Sequence, residues 1–332
     1  LSVTDGGLVV EDKFVVNASN VPAGLPGGGT PVTLRNPSWD SSSSGQYGFN
    51  FEHFGDEVVQ TDTHTLVSGA LSNTYDSSQG VQLPAAGYAW IFNSNNEVIW
   101  EGNQGINDGL GESDMYFGRG LAMTDSYAYI GAPGIDKVYQ YRLDDPYNQI
   151  DSISIPDSGQ SSAWFGWSMD VSSPTGGYLL IGAPYYDSGG LPNIGRAYMY
   201  VNDSTSPIGT FKNPDPVANA NFGYDVSTGP LTSKGGFLFQ SVVGAPGIQA
   251  TDGKLFKFTV DLVGDGDPWR DTAQTKDSVN GRDFIAVGED ETDQRRFGQS
   301  VVITNNNKIV VTSAKDENDV TYQGEAYILD SD

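Results

Sequence analysis

The sequence predicts an all-β propeller, and three observations carry that expectation. A Phe-Gly pair occurs five times, at Phe54-Gly55, Phe117-Gly118, Phe165-Gly166, Phe222-Gly223 and Phe297-Gly298, with starts 63, 48, 57 and 75 residues apart. Each pair is followed by a small-residue stop: Gly69-Ala70, Gly131-Ala132-Pro133, Gly182-Ala183-Pro184, Gly244-Ala245-Pro246 and the divergent Ser313-Ala314. The segments around these landmarks alternate apolar with polar residues between Gly- and Pro-rich breaks, and none sustains a 3.6-residue apolar period. Such a period is too long for leucine-rich or helical-hairpin repeats and suits a four-stranded blade with generous loops.

Residues 1–48 stand apart from the repeats. Leu8–Val16 (LVVEDKFVV) reads as one strand or a tight hairpin. The Gly- and Pro-rich NASNVPAGLPGGGTP reads as a linker, PVTLRNP as a short edge strand, and SWDSSSSGQ as a second flexible piece. From residue 49 to 332 the propeller repeat takes over. Its third copy is the clearest: FGWSMDVSS from Phe165 is strand A, GGYLLIGAP ending at Pro184 is strand B, GRAYMYVND from Gly195 is strand C, and PIGTF ending at Phe211 is strand D. The B and C strands of the other copies align with it as HTLVSGA and GYAWIFN, YAYIGAP and KVYQYRL, FQSVVGAP and GKLFKFTV, and NKIVVTSA and GEAYILD.

The repeated residues have architectural reasons. Inner strands of a propeller crowd together, so glycine permits close backbone approach, and the neighbouring Phe plugs the gap between twisted blades. The Pro of Gly-Ala-Pro lacks an N–H and ends the ladder. These ten Phe and Gly residues are therefore read as framework. The fifth copy reaches Asp332 without a strand D. An exposed edge is a liability, and Leu8–Val16 is the natural donor to cover it. The expectation is five four-stranded blades in a ring closed by the N-terminal strand. The alternative is six blades, the sixth drawing on residues 1–48 and part of 259–296.

Bulk composition excludes several function classes. The chain carries 42 Asp plus Glu against 17 Lys plus Arg, a net charge of −25. Nucleic acid is therefore excluded as a partner, because phosphate contacts need a basic face. An anionic membrane surface is repelled likewise, and no apolar run approaches the 18 residues a membrane span needs. With no Cys, thiol chemistry is excluded. The first residue is Leu, which is expected of a processed or excised segment. Two sequons begin at Asn17 and Asn202.

Phe-Gly, then Gly-Ala-Pro, then Gly-x-Ala-Tyr-x-Tyr resembles the FG-GAP repeat, best known from the β-propeller of integrin alpha subunits and from bacterial and viral exterior proteins. The resemblance covers residues 49–332. It implies an extracellular, cell-surface or virion-exterior location and a role in adhesion or recognition. Family members often carry a calcium loop between strands A and B, spaced Asp-x-Asp/Asn-x-Asp-Gly. The corresponding turns here are MTDSYAY, SSPTGGY, TGPLTSKGGF and TNNNKIV, without alternating carboxylates. The nearest calcium candidate is VDLVGDGDPWRD, with Asp261, Asp265, Asp267 and Asp271, against the plainer reading of a solvated acidic loop.

No catalytic motif stands out. The two histidines, His53 and His64, do not make a metal triad, and no nucleophile elbow or phosphate loop occurs. Carboxylates are too common for a chance pair to signal a glycosidase. The chain is accordingly read as non-enzymatic. In the integrin-like arrangement the ligand face carries the B–C and D–A loops, and long loops carry function disproportionately. These loops hold Tyr75, Asp76, Tyr116, Trp164, Tyr185, Tyr186, Asp187 and Tyr322. Aromatics beside carboxylates stack on sugar rings and accept hydroxyl hydrogens, or serve as protein-contact anchors. The expected partner is a protein or glycan. One alternative is a structural virion or appendage protein whose partners are neighbouring subunits. The other is a polysaccharide hydrolase or lyase.

Overall fold

The computed structural model describes residues 13–16, 32–35, 53–76, 81–103, 112–145, 149–157, 159–173, 177–202, 204–230, 238–247, 253–261, 275–280, 296–304, 308–313 and 325–330. Its strands follow the repeat. A two-stranded sheet pairs β1 (Lys13–Val16) with β2 (Val32–Arg35). The first four-stranded sheet contains β3 (Glu57–Gln60), β4 (His64–Gly69), β7 (Tyr88–Asn93) and β8 (Val98–Gly102). A small hairpin of β5 (Thr74–Asp76) and β6 (Val81–Leu83) is inserted between β4 and β7. The second runs β9 (Leu121–Met123), β10 (Tyr127–Ala132), β11 (Lys137–Arg142), β12 (Gln149–Ser154). The third is β13 (Met169–Val171), β14 (Tyr178–Ala183), β15 (Arg196–Val201), β16 (Gly209–Lys212). The fourth is β17 (Val226–Pro230), β18 (Leu238–Ala245), β19 (Lys254–Asp261), β20 (Thr275–Asn280). The fifth has three strands, β21 (Phe297–Ile303), β22 (Lys308–Ser313), β23 (Glu325–Asp330). All ladders within these sheets are antiparallel. This is the all-β blade architecture of a propeller.

The sheets stack through their faces, and each repeated Phe sits in a seam. Phe117 packs among Leu66, Ala89 and Ile91 of the first sheet and Ile130, Tyr139 and Tyr141 of the second. Phe165 joins Tyr129 and Val138 to Ile181 and Tyr198. Phe222 joins Leu180 and Met199 to Val243 and Phe256, and Phe297 joins Val242 and Leu255 to Ile309 and Val311. All four are at most 1% exposed. Burying one such ring contributes roughly 2–3 kcal/mol from area alone.

The glycines mark where neighbouring blades touch backbone to backbone. A Cβ on Gly131 would lie 2.0 Å from the carbonyl oxygen of Gly166. Gly182 stands the same way to Gly223 (2.1 Å), and Gly244 to Gly298 (2.0 Å). The Gly of each Gly-Ala-Pro therefore abuts the Phe-Gly of the following blade, a contact only a bare Cα permits. Carboxylates tie the inner strands together. Asp170 Oδ2 accepts from Ser227 Oγ and Thr228 N, both at 2.8 Å, and Asp225 Oδ2 accepts from Val301 N at 2.7 Å.

The N-terminal strand departs from expectation. Among the described residues β1 pairs with β2, and β23 pairs only with β22, so β1 does not complete the fifth sheet. Instead Leu34 of β2 packs with Phe54, Val67, Trp90 and Phe92 on the first sheet. The register explains this: an apolar residue facing Phe54 fills the seam that a preceding blade fills elsewhere. The β1–β2 pair also precedes Phe54-Gly55 in the chain as strands C and D precede every other Phe-Gly.

Candidate functional site

The five innermost strands β3, β9, β13, β17 and β21 pack side by side in that order. Residues at and just before their starts surround a cavity of about 300 Å³ lined from every repeat: Glu57, Arg119, Trp167, Tyr224 with Asp225, and Gln299 with Ser300. The Phe-Gly turn sets this direction. Gly118, Gly166, Gly223 and Gly298 adopt φ between 89° and 96°, which swings the next side chain toward the axis. That next residue is Arg119, Trp167, Tyr224 and Gln299 in the last four copies; in the first it is Asp56, and the cavity is lined by Glu57 instead.

Above the cavity lies a continuous aromatic surface. Tyr116 stacks on Trp164 with centroids 5.3 Å apart and planes at 28°. Trp164 meets Tyr185 at 5.0 Å and Trp167 at 5.1 Å, and Trp167 meets Tyr224 at 5.4 Å. The Arg119 guanidinium lies 4.0 Å over the Trp167 ring, and its Nη1 donates to Glu57 Oε1 at 3.0 Å. The residue before Phe is left-handed in four copies: Tyr116 (φ 54°), Trp164 (60°), Asn221 (54°) and Arg296 (46°). Bulky side chains rarely adopt this conformation, and such strain gathers at functional sites. The loops are held in place by backbone bonds to the preceding blade, from Tyr116 N to Ala85 O (3.0 Å) and from Phe117 N to Ala86 O (3.0 Å). Asp136 does the same for the next loop, accepting from Phe165 N at 2.9 Å and Ala163 N at 3.3 Å.

Burial shapes the charges at this site. It pushes the Asp225 carboxyl up to about 7, opposed by the N–H groups of Val301 and Val226 and by Ser300. It raises Asp170 to about 6 against three hydrogen bonds. Glu57 is also raised by burial, with the Arg119 charge pulling the other way. Burial raises the Tyr185 hydroxyl too, and the nearby Tyr224 adds to that.

Of the loop residues singled out in the sequence, Tyr116, Trp164 and Tyr185 come together here. Tyr186 does not join them. It is 6% exposed, under the Arg196 guanidinium at 3.7 Å, with its hydroxyl accepting from Arg196 Nη1 at 2.7 Å. Asp187 lies further along the same β14–β15 loop, where its Oδ1 accepts from Asn193 N at 2.7 Å beside a separate open cavity of about 530 Å³. Tyr75 and Asp76 fall on β5, in the inserted hairpin. Tyr322, Asp265, Asp267 and Asp271 lie outside the described residues, and Asp261 ends β19. Among the described residues no group of three or more His, Cys, Asp or Glu is placed to hold a metal. His53 Nδ1 lies 3.6 Å from Asp56, and His64 Nδ1 bonds Thr63 Oγ1 at 2.9 Å. Sequence reasoning missed Glu57, Arg119, Trp167, Tyr224, Asp225 and Gln299. Aligning the residue just after each Phe-Gly would have found four of them.

No family model and no curated protein matches this chain. Among solved structures the chain matches several at low similarity. Virginiamycin B lyase from Staphylococcus aureus is 9% identical over 86% of this chain and 82% of that one, with a TM-score of 0.41. A catalytically inactive form of that lyase with quinupristin covers 90% and 74%, also at 9% identity, with a TM-score of 0.43. Hsv2 from Kluyveromyces lactis is 8% identical over 82% and 71%, with a TM-score of 0.40. Likeness at this level carries no ligand or activity across.

Proposed function

We propose that the chain is a non-enzymatic recognition module of the FG-GAP type that binds a glycan at the axial mouth, on the outside of a cell or virion. One observation carries the reading. A five-member aromatic surface, Tyr116, Trp164, Trp167, Tyr185 and Tyr224, opens onto a polar cavity holding acceptors and donors together. Aromatic faces take the C–H face of a sugar while Glu57, Asp225, Arg119 and Gln299 answer its hydroxyls. A protein partner is less favoured, because protein-contact anchors fill pockets on broad, flat patches, whereas this surface rims a well. The net charge of −25 repels polyanions at low salt.

A second reading has its own observation. Glu57 and Asp225 face one cavity, and burial raises both carboxyls, as glycoside hydrolysis requires of its acid. Against it, Glu57 is committed to Arg119 and both Asp225 oxygens accept backbone N–H groups. A glycan array with the wild-type chain and Trp164→Ala separates the readings. Binding without turnover, lost in the variant, supports recognition. Release of reducing ends, abolished by Glu57→Gln, supports hydrolysis. No bound glycan, or equal binding by the variant, overturns both.

A further inference from the structure

We infer that the outer edge of β23 is a self-association site, at which two copies of this chain join their β23 strands antiparallel across a two-fold axis through Ile328. In the first four sheets the strand at this position is not an edge: β7, β11, β15 and β19 each carry a fourth strand, β8, β12, β16 and β20. Among the described residues β23 pairs with β22 alone. Its other side presents the backbone groups that a fourth strand meets elsewhere, and such a row is a template for another chain.

The outer strands of the other sheets are blunted, and β23 is not. The pairings of β8, β12 and β20 break register at Ile91/Phe92, Gln140/Tyr141 and Lys257/Phe258. β16 carries Gly209 and Lys212 at its two ends. Bulges and lysines are devices that keep edges from pairing. β23 reads Glu325-Ala-Tyr-Ile-Leu-Asp330, without Gly, Pro or Lys, and its six pairs with β22 run without a shift. It is apolar where it is open. Ile328 stands opposite Val310, as Ile91 does opposite Leu66, Gln140 opposite Tyr129 and Met199 opposite Leu180. Ile91, Gln140 and Met199 are at most 1% exposed, whereas Ile328 is 71% exposed.

The sequence of the strand fits a copy of itself. Opposed residues of an antiparallel pair share a face, so a two-fold axis passes through a residue and not between two. Through Tyr327 it would set Glu325 against Leu329. Through Ile328 it sets Ile328 against its own copy and Tyr327 against Leu329, with Ala326 against Asp330. Aliphatic and aromatic cross-strand pairs stabilise such a ladder, and no acid faces an acid. The two-fold pairing also closes, where a head-to-tail contact would run on into a filament. β21 and β23 both run antiparallel to β22 and hence in one direction. Reversing β23 in the copy therefore puts the two axial cavities at opposite ends of the pair, an arrangement that joins two surfaces. The pairing does not depend on which ligand the cavity takes.

Cross-linking and sedimentation test it. The chain has no Cys, so a single-cysteine variant forms a disulfide only with another copy. Opposed residues lie about 4.5–5.5 Å apart between Cα atoms, within disulfide reach. Ile328→Cys should oxidise to a covalent dimer. Ala326→Cys should not, because its two copies lie about 14 Å apart along the strands. In sedimentation, the wild-type dimer fraction should rise with protein concentration and between about 0.05 and 0.5 M NaCl, as salt screens the net charge of −25. Ile328→Glu should weaken association at least about tenfold, with a thermal midpoint within a few degrees of wild type. A wild-type chain still monomeric at about 1 mM overturns the inference. So does equal cross-linking of the two cysteine variants, or unchanged association of Ile328→Glu. Hydrogen exchange that finds the β23 amides as protected as those of β22 in the dilute monomer also overturns it, since another segment of the same chain then holds the edge.

Discussion

At the scale of single residues, backbone conformation separates framework from site. Phe117, Phe165 and Phe222 are fully buried and interchangeable in role, whereas the residues just before them are left-handed and different in each copy, with Tyr116 and Trp164 half-buried and Asn221 buried. Tyr116 costs about 1 kcal/mol to hold at φ 54°. Tyr116→Gly relieves that strain while removing an aromatic face. Its stability in urea should stay within about 1 kcal/mol of wild type, with glycan affinity falling about tenfold; a loss of stability beyond about 2 kcal/mol would place Tyr116 in the framework instead. The buried carboxylates give a pH dependence. Asp225 and Asp170 have folded-state values of about 7 and about 6, above an unfolded value near 4. The native state therefore binds more protons, and their contribution is fully present below about pH 4 and lost as pH rises through about 7. The difference in thermal midpoint between pH 5 and pH 8 should narrow in Asp225→Asn. A difference identical to wild type would show that Asp225 does not titrate in this window. The aromatic half of the site was legible in sequence because Tyr116, Trp164 and Tyr185 sit in loops. The axial half was not, since Trp167 and Gln299 look like ordinary strand residues until the Phe-Gly turn shows where they point.

At the scale of elements, the blade was readable almost strand by strand. The near-continuous apolar run of YLLIGA and the alternation of RAYMYV marked β14 and β15 directly, with register Ile181↔Tyr198. Inner strands were harder. They are short, as in Met169–Val171, and the Phe-Gly turn before them was read as strand. The β5–β6 hairpin escaped notice because TYD and VQL are too short to show a period. The small-residue contacts yield the sharpest expectation. Gly131→Ala drives a methyl to within 2.0 Å of the Gly166 carbonyl oxygen, backbone against backbone with no side chain to yield. A cost of at least about 2–3 kcal/mol is expected, read as a lowered denaturation midpoint. A neutral Gly131→Ala would show that adjacent blades are not in backbone contact.

At the scale of the whole molecule, alternation and repeat spacing specified the blades, but the partner of the N-terminal strand depended on a pairing that no local pattern encodes. Leu8–Val16 had the composition of a covering strand, yet β1 finds β2, and Leu34 fills the seam under Phe54 and Trp90. The far face of the fifth sheet keeps Val302 47% and Ile328 71% exposed, aligned through Val310. Leu34→Ala is therefore expected to cost about 2–3 kcal/mol, and Ile328→Ala no more than about 0.5 kcal/mol. Chemical denaturation reads both, and the reverse order would place the better-packed apolar contact on the fifth sheet rather than under Phe54. The central claim, that five repeats converge on one axial recognition site, is tested most directly by a structure of the chain with an array-positive glycan. The expected result is a glycan at the axial mouth, stacked on Trp164 and Tyr116. A glycan seated in a blade seam, on the outer strands or at the Asp187 loop would contradict it.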